Sequence, residues 1–138
     1  MPAYDSCHFQ MARALQKAGW IVSDRPKYIV DDETDIFIVV DIEAHLRTNG
    51  AEGRRIYVEV KCFPGQNATQ ELYIAFGQYM LYRTLLSRQD IGVPVYLAVP
   101  QAAYEIVFNP VIQQMCRENH IMMIVVDLET ETVLQWIE

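Results

Sequence analysis

Ile56-Tyr57-Val58-Glu59-Val60-Lys61-Cys62-Phe63 alternates Ile56, Val58, Val60 and Cys62 on one side with Tyr57, Glu59, Lys61 and Phe63 on the other. A period of two is that of a strand, so an acid and an ammonium stand side by side on a largely apolar element. Such a pair is costly in a core. Residues two apart on a strand point the same way, about 7 Å from each other, close enough for both to work on one bound ion and its water. Glu59 and Lys61 therefore set the question of what else the chain brings to them.

Upstream, Ile36 to Ile42 reads as a buried strand whose alternation groups Asp41 with Phe37 and Val39. A carboxylate in that setting needs a partner, unless it caps the next turn. The polar segment from Glu43 to Gly53 is too short for a crossover helix with its loops, which favours an antiparallel return into the strand at Ile56, with His45 and Arg47 exposed. Asp41 and Glu59 then meet near adjoining strand ends. Asp31, Asp32, Glu33 and Asp35 lack the glycine and the distant glutamate of a calcium-binding loop and read as a solvated turn.

Around this centre the helical pattern is clear. Asp5 or Ser6 can cap a first helix that runs to about Ala18 before Gly19, and helical spacing turns His8 inward with Met11, Ala12 and Leu15. His8 is then either a core histidine bonded to a neighbour or a participant in the site. Trp20 to Val22 is a short strand. Phe63-Pro64-Gly65 closes the central strand, and Asn67 with Gln70 offers a capping box for a helix over about Ala68 to Ser87. Gln78 lies among Ile74, Ala75, Leu81 and Tyr82 on that helix, so its amide faces inward, either onto a strand end or onto Glu59 and Lys61. Val93 to Val99 reads as a strand covered on both faces. Ala102 to Phe108 and Pro110 to Asn119 read as one broken helix or two short ones, Ile121 to Val126 as a buried strand, and Val133 to Ile137 as an edge strand. Strands first and helix-covered strands after predict an α/β fold in three layers, a central mixed β-sheet between helices, in one domain spanning residues 1–138.

Composition limits the function. The chain is 51% apolar and 21% charged, a globular profile, and its net charge of −7 with only three lysines weakens tight non-specific DNA binding without excluding a metal-bridged contact. Arg47, Arg54, Arg55, Arg83 and Arg88 could still form a local basic patch. No apolar run approaches bilayer length and no leader-like segment opens the chain, which places it in the cytoplasm with no membrane partner. Cys7, Cys62 and Cys116 are odd in number and widely spaced, so neither a disulfide framework nor a zinc site is indicated, and reduced thiols are expected.

Asp41 and Glu59 converging beside Lys61 suit a Mg2+ or Mn2+ site for phosphodiester hydrolysis, with the Val60 carbonyl as a further ligand. The ion would activate water, and Lys61 would orient that water or hold the phosphate. An acid-x-Lys triplet is common by chance, so the weight falls on its setting: a strand, an upstream strand ending in Asp41, and a following helix with Gln78 turned inward. That setting resembles the core of the PD-(D/E)XK, or restriction-endonuclease-like, nucleases.

A closer resemblance covers nearly the whole chain. Met1-Pro2-Ala3 with Asp5 and His8, Gly19-Trp20, Val40-Asp41, Val58 to Phe63, Glu71-Leu72, Gly77-Gln78-Tyr79 with Tyr82, Tyr96 to Pro100, and Val126-Asp127 through Trp136-Ile137 are similar to the XisH family. That is a cyanobacterial family named for a factor controlling excision of the fdxN DNA element. The resemblance implies a restriction-endonuclease-like fold, a role around DNA-element excision or recombination, DNA and an XisI-type companion protein as partners, and site roles for Asp41, Glu59, Lys61 and Gln78 with His8 as accessory. Two departures stand out: Cys62 where a serine or asparagine is usual after the lysine, and Glu43 to Arg47 in place of small and acidic residues.

Two further readings compete with an endonuclease. One is a catalytically silent accessory protein that keeps the fold and binds a partner or DNA. The other is a plain buried ion pair of Glu59 and Lys61. A homodimer is expected, because a duplex is commonly cut by two copies, and the Trp136 edge offers it an apolar surface.

Overall fold

The computed structural model describes residues 5–48, 51–65 and 67–138; the Met1-Pro2-Ala3 motif and the Asn49-Gly50 turn lie outside the described residues. Three parallel strands make the centre: β5 (Ala51–Val60), β6 (Val95–Pro100) and β7 (Met122–Asp127). Antiparallel strands flank them, β4 (Ile42–Thr48) and the two-residue β1 (Ile21–Val22) on one side and β8 (Thr132–Ile137) on the other, giving the order β1-β4-β5-β6-β7-β8. A separate hairpin joins β2 (Lys27–Val30) to β3 (Phe37–Val40). The mixed sheet expected from the sequence is present.

Alternation along the central strands sorts their side chains into two cores. Val58, Val60, Tyr96, Ala98, Ile124 and Val126 pack with Met11, Ala14 and Leu15 of α1 (His8–Lys17). On the opposite face Tyr57, Leu97, Val99, Met123 and Val125 pack with Leu72, Ala75, Tyr79 and Tyr82 of α2 (Ala68–Arg88). Phe108 and Cys116, from the region of α3 (Gln101–Val107) and α4 (Pro110–Glu118), complete that second layer. Helix, sheet and helix thus form three layers, because each central strand is apolar on both faces.

Several local expectations change. The segment read as one strand from Ile36 to Ile42 is broken at Asp41: β3 pairs with β2, and after the break β4 pairs with β5. The antiparallel return into the strand at Ile56 is present, but its first part, residues 43–48, is itself strand, with Ala44 facing the core. The Lys27–Val30 strand was not anticipated. The acidic turn is not wholly solvated: Asp31 is 5% exposed, accepts hydrogen bonds from Thr34, and pairs with Arg88 of α2. Asn67 precedes α2 without making the expected side-chain cap. The residue before α1 is Cys7, not Asp5 or Ser6, and the Asp5 carboxylate instead accepts from the Cys62 backbone N–H at 3.0 Å.

Reduced cysteines are the clearest correction. Cys7 and Cys62 form a disulfide with their Cα atoms 5.9 Å apart, and only Cys116 is a free thiol. Fifty-five positions separate the pair in sequence, so spacing could not reveal it. The basic patch is also dispersed. Arg54 reaches Tyr96 and Glu138, Arg55 pairs with Glu43, Arg83 donates to the carbonyls of Asn119 and His120, and Arg88 is held by Asp31 and Glu33.

Candidate metal and phosphodiester site

The end of β5 and the break between β3 and β4 lie side by side, because Ile42 pairs with Val58. Asp41, at the break, is free of strand geometry, and its Oδ2 accepts the Val60 N–H at 2.8 Å. The sequence expectation that Asp41 and Glu59 come together is realised at the backbone, and the two carboxyls are near enough to shift each other's ionisation. Lys61 follows at the end of β5, its backbone N–H bonded to the Ala98 carbonyl and its Nζ 3.5 Å from Glu59 Oε2.

Burial dominates the electrostatics. Glu59 is 3% exposed, and loss of water together with the nearby Asp41 charge pushes its carboxyl up to about 9, with Lys61 opposing. Burial also raises Asp41, against the pull of the Val60 N–H. The acids behave as a pair that holds a proton at neutral pH. Glu59 Oε1 is buried without a hydrogen-bond partner, a costly state for a carboxyl oxygen unless something else meets it.

The other expected residues lie on the two helical layers. Gln78 is on α2 and half-buried, between buried Ala75 and Tyr82 and exposed Ile74 and Leu81, and its Oε1 is likewise buried without a partner. His8 is 6% exposed in the first turn of α1, where burial lowers its pKa and the charges of Asp41 and Asp5 raise it. It is thus in electrostatic reach of Asp41 from the opposite helical layer. Tyr82 was not singled out as a site residue, yet its hydroxyl donates to the Val39 carbonyl at 3.2 Å, and burial together with the Glu59 and Asp41 charges raises its pKa. Its signal was its position one helical turn after Gln78.

No group of three or more His, Cys, Asp or Glu side chains among the described residues is arranged to hold a metal. Two acids are nonetheless what a magnesium ion needs from a protein, since it keeps several waters and takes substrate phosphate. The unpaired Glu59 oxygen fits that donor set.

A model of the XisH family, described as XisH protein, matches residues 1–134. The chain belongs to the XisH family. Two solved structures agree. One is an XisH family protein from Nostoc punctiforme PCC 73102, 32% identical, with a TM-score of 0.83, covering 97% of this chain and 100% of that one. The other is a fdxN element excision controlling factor protein from Anabaena variabilis, also 32% identical, with a TM-score of 0.84, covering 98% of this chain and 100% of that one. No curated protein matches the chain. The XisH similarity spans all the elements that carry Asp41, Glu59, Lys61, Gln78 and His8.

Proposed function

We infer that this XisH chain is a metal-dependent DNA endonuclease of the PD-(D/E)XK type, acting in excision or rearrangement of a DNA element. The observation that supports it most is the meeting of Asp41 and Glu59 beside Lys61, with one Glu59 oxygen buried and unpaired. Similarity to a fdxN element excision controlling factor gives the biological setting. Asp41, Glu59 and the Val60 carbonyl would hold Mg2+ or Mn2+. The bound ion would supply a more acidic water and charge stabilisation at the phosphate. Lys61 positions that water or the phosphate through its Nζ. Gln78 Oε1 can accept a hydrogen bond from the same water, and His8 flanks Asp41 as an accessory donor or acceptor.

DNA is the substrate in this reading, reached in the cytoplasm by a homodimer with an XisI-type companion. The companion has a physical task, since a net charge of −7 and arginines engaged within the chain leave little basic surface for a duplex. At the Trp136 edge, β8 ends the sheet, and Trp136 packs in part on Trp20 and Tyr96 within the chain. No helix among the described residues is long and apolar enough to cross a membrane.

The second reading is a silent accessory factor, favoured by the acidic charge and by burial that keeps Glu59 protonated. Calorimetric titration of Mn2+ into the wild type and Glu59→Gln separates the two. Saturable binding abolished by the substitution supports the nuclease. No binding at millimolar Mn2+, with or without duplex DNA, favours the accessory factor.

A further inference from the structure

Cys7 and Cys62 stand directly beside two of the site residues in sequence, Cys7 before His8 and Cys62 after Lys61. Their bond ties the start of α1 to the strand end that carries Lys61. A buried disulfide can be an inert staple, but two features set this one apart. Both cysteines, 3% and 8% exposed, line a solvent-connected cavity of about 590 Å³ together with Ser6, Phe63, Pro64 and Pro100, so the bond borders a space large enough for a small thiol. The Cys7 N–H also donates to Cys62 Sγ at 3.0 Å, a contact that stabilises negative charge on that sulfur.

We propose that Cys7 and Cys62 are a redox-active pair whose state decides whether α1 is tied to the end of β5. A low-molecular-weight thiolate attacks Cys7 Sγ, the S–S bond breaks, and Cys62 leaves as the thiolate held by the Cys7 N–H. A second thiol molecule resolves the mixed disulfide on Cys7. Two external thiols are oxidised to their disulfide and the protein gains two electrons and two protons; oxidised glutathione reverses the step. Once reduced, the covalent tie is gone, and α1 keeps its hold on β5 through non-covalent contacts such as the Cys62 N–H to Asp5 hydrogen bond and the apolar packing. Cys116, buried and with its thiol pushed up to about 11, takes no part. The inference is independent of whether the site cleaves DNA.

The test uses the full chain equilibrated in oxidised or reduced glutathione, followed by thiol alkylation of the folded protein, intact mass and hydrogen exchange. In oxidised buffer the proposal expects no alkylation at residues 7 and 62. In reduced buffer it expects both to react, with exchange accelerated severalfold at residues 5–12 and 60–64 while β6 and β7 stay protected. The melting temperature should fall by about 10 °C on reduction. Cys7→Ser should sit at the reduced value in either buffer, and Cys116→Ser should respond as the wild type does. Failure of the pair to form in oxidised glutathione overturns the proposal. So does a bond that reduced glutathione opens only under denaturing conditions, or reduction that leaves exchange at both segments unchanged.

Discussion

At the scale of single residues, the molecule concentrates its cost in one carboxyl. Glu59 favours its neutral form once folded, with its pKa raised from 4.5 to about 9. The stability this gives is fully present below pH 4.5 and is lost as pH rises through 9, because ionisation is easier in the unfolded chain. Without divalent metal, unfolding free energy should therefore decline across that window, by up to several kcal/mol, in urea titrations at successive pH values. Glu59→Gln removes the ionisation and should flatten the decline while folding as well as the wild type at pH 7. A marked destabilisation at pH 7 would instead identify a structural ion pair. Millimolar Mn2+ should lessen the wild-type decline and leave the variant unchanged.

At the scale of elements, α2 couples the layers through Tyr79. Its hydroxyl donates to the Val95 carbonyl at 2.8 Å and accepts the Met122 N–H at 3.1 Å, joining the starts of β6 and β7. Tyr79→Phe leaves the buried Val95 carbonyl and the half-buried Met122 N–H short of a partner and should cost about 1–3 kcal/mol in chemical denaturation. Gly77, exposed in the middle of the same helix, is the opposite case. A Cβ there meets nothing within 4 Å, so Gly77→Ala should raise stability by up to about 1 kcal/mol.

The long elements were legible because Val93–Val99 and Ile121–Val126 are apolar without interruption and Ala68–Ser87 carries a helical pattern. The break at Asp41 was not, since the chain leaves one sheet for another inside a single apolar run, and alternation does not show which partner a strand takes. The site shows the same division. Glu59, Lys61 and the inward turn of Gln78 and His8 follow from periodicity. Tyr82 was hidden among apolar neighbours, and the Cys7–Cys62 bond joins segments brought together only by the finished fold.

Across the whole molecule, one aromatic cluster ties the site to the helical layer. Phe108 contacts Phe63, Phe76 and Tyr104 with ring centroids 5.7, 6.3 and 5.6 Å away. Phe63 lies two residues beyond Lys61 with φ of 50°, a left-handed backbone that this packing helps to hold. Phe108→Ala should cost about 3–5 kcal/mol and lower the melting temperature by more than 10 °C. Because it also frees Phe63, it should weaken Mn2+ binding in calorimetry at temperatures where the variant is still folded.

The change of sheet at Asp41 has a mechanical meaning. The β2–β3 hairpin is a lever that shows Tyr28, Val30 and Phe37 to solvent, is held by Arg88, and ends at the carboxylate. Asp41 is its fulcrum. A partner that grips those three side chains and tilts the hairpin would bear on the Asp41 bond to the Val60 N–H, so a contact made at the molecule's rim would be felt one residue away from Glu59, the most deeply buried carboxyl among the described residues.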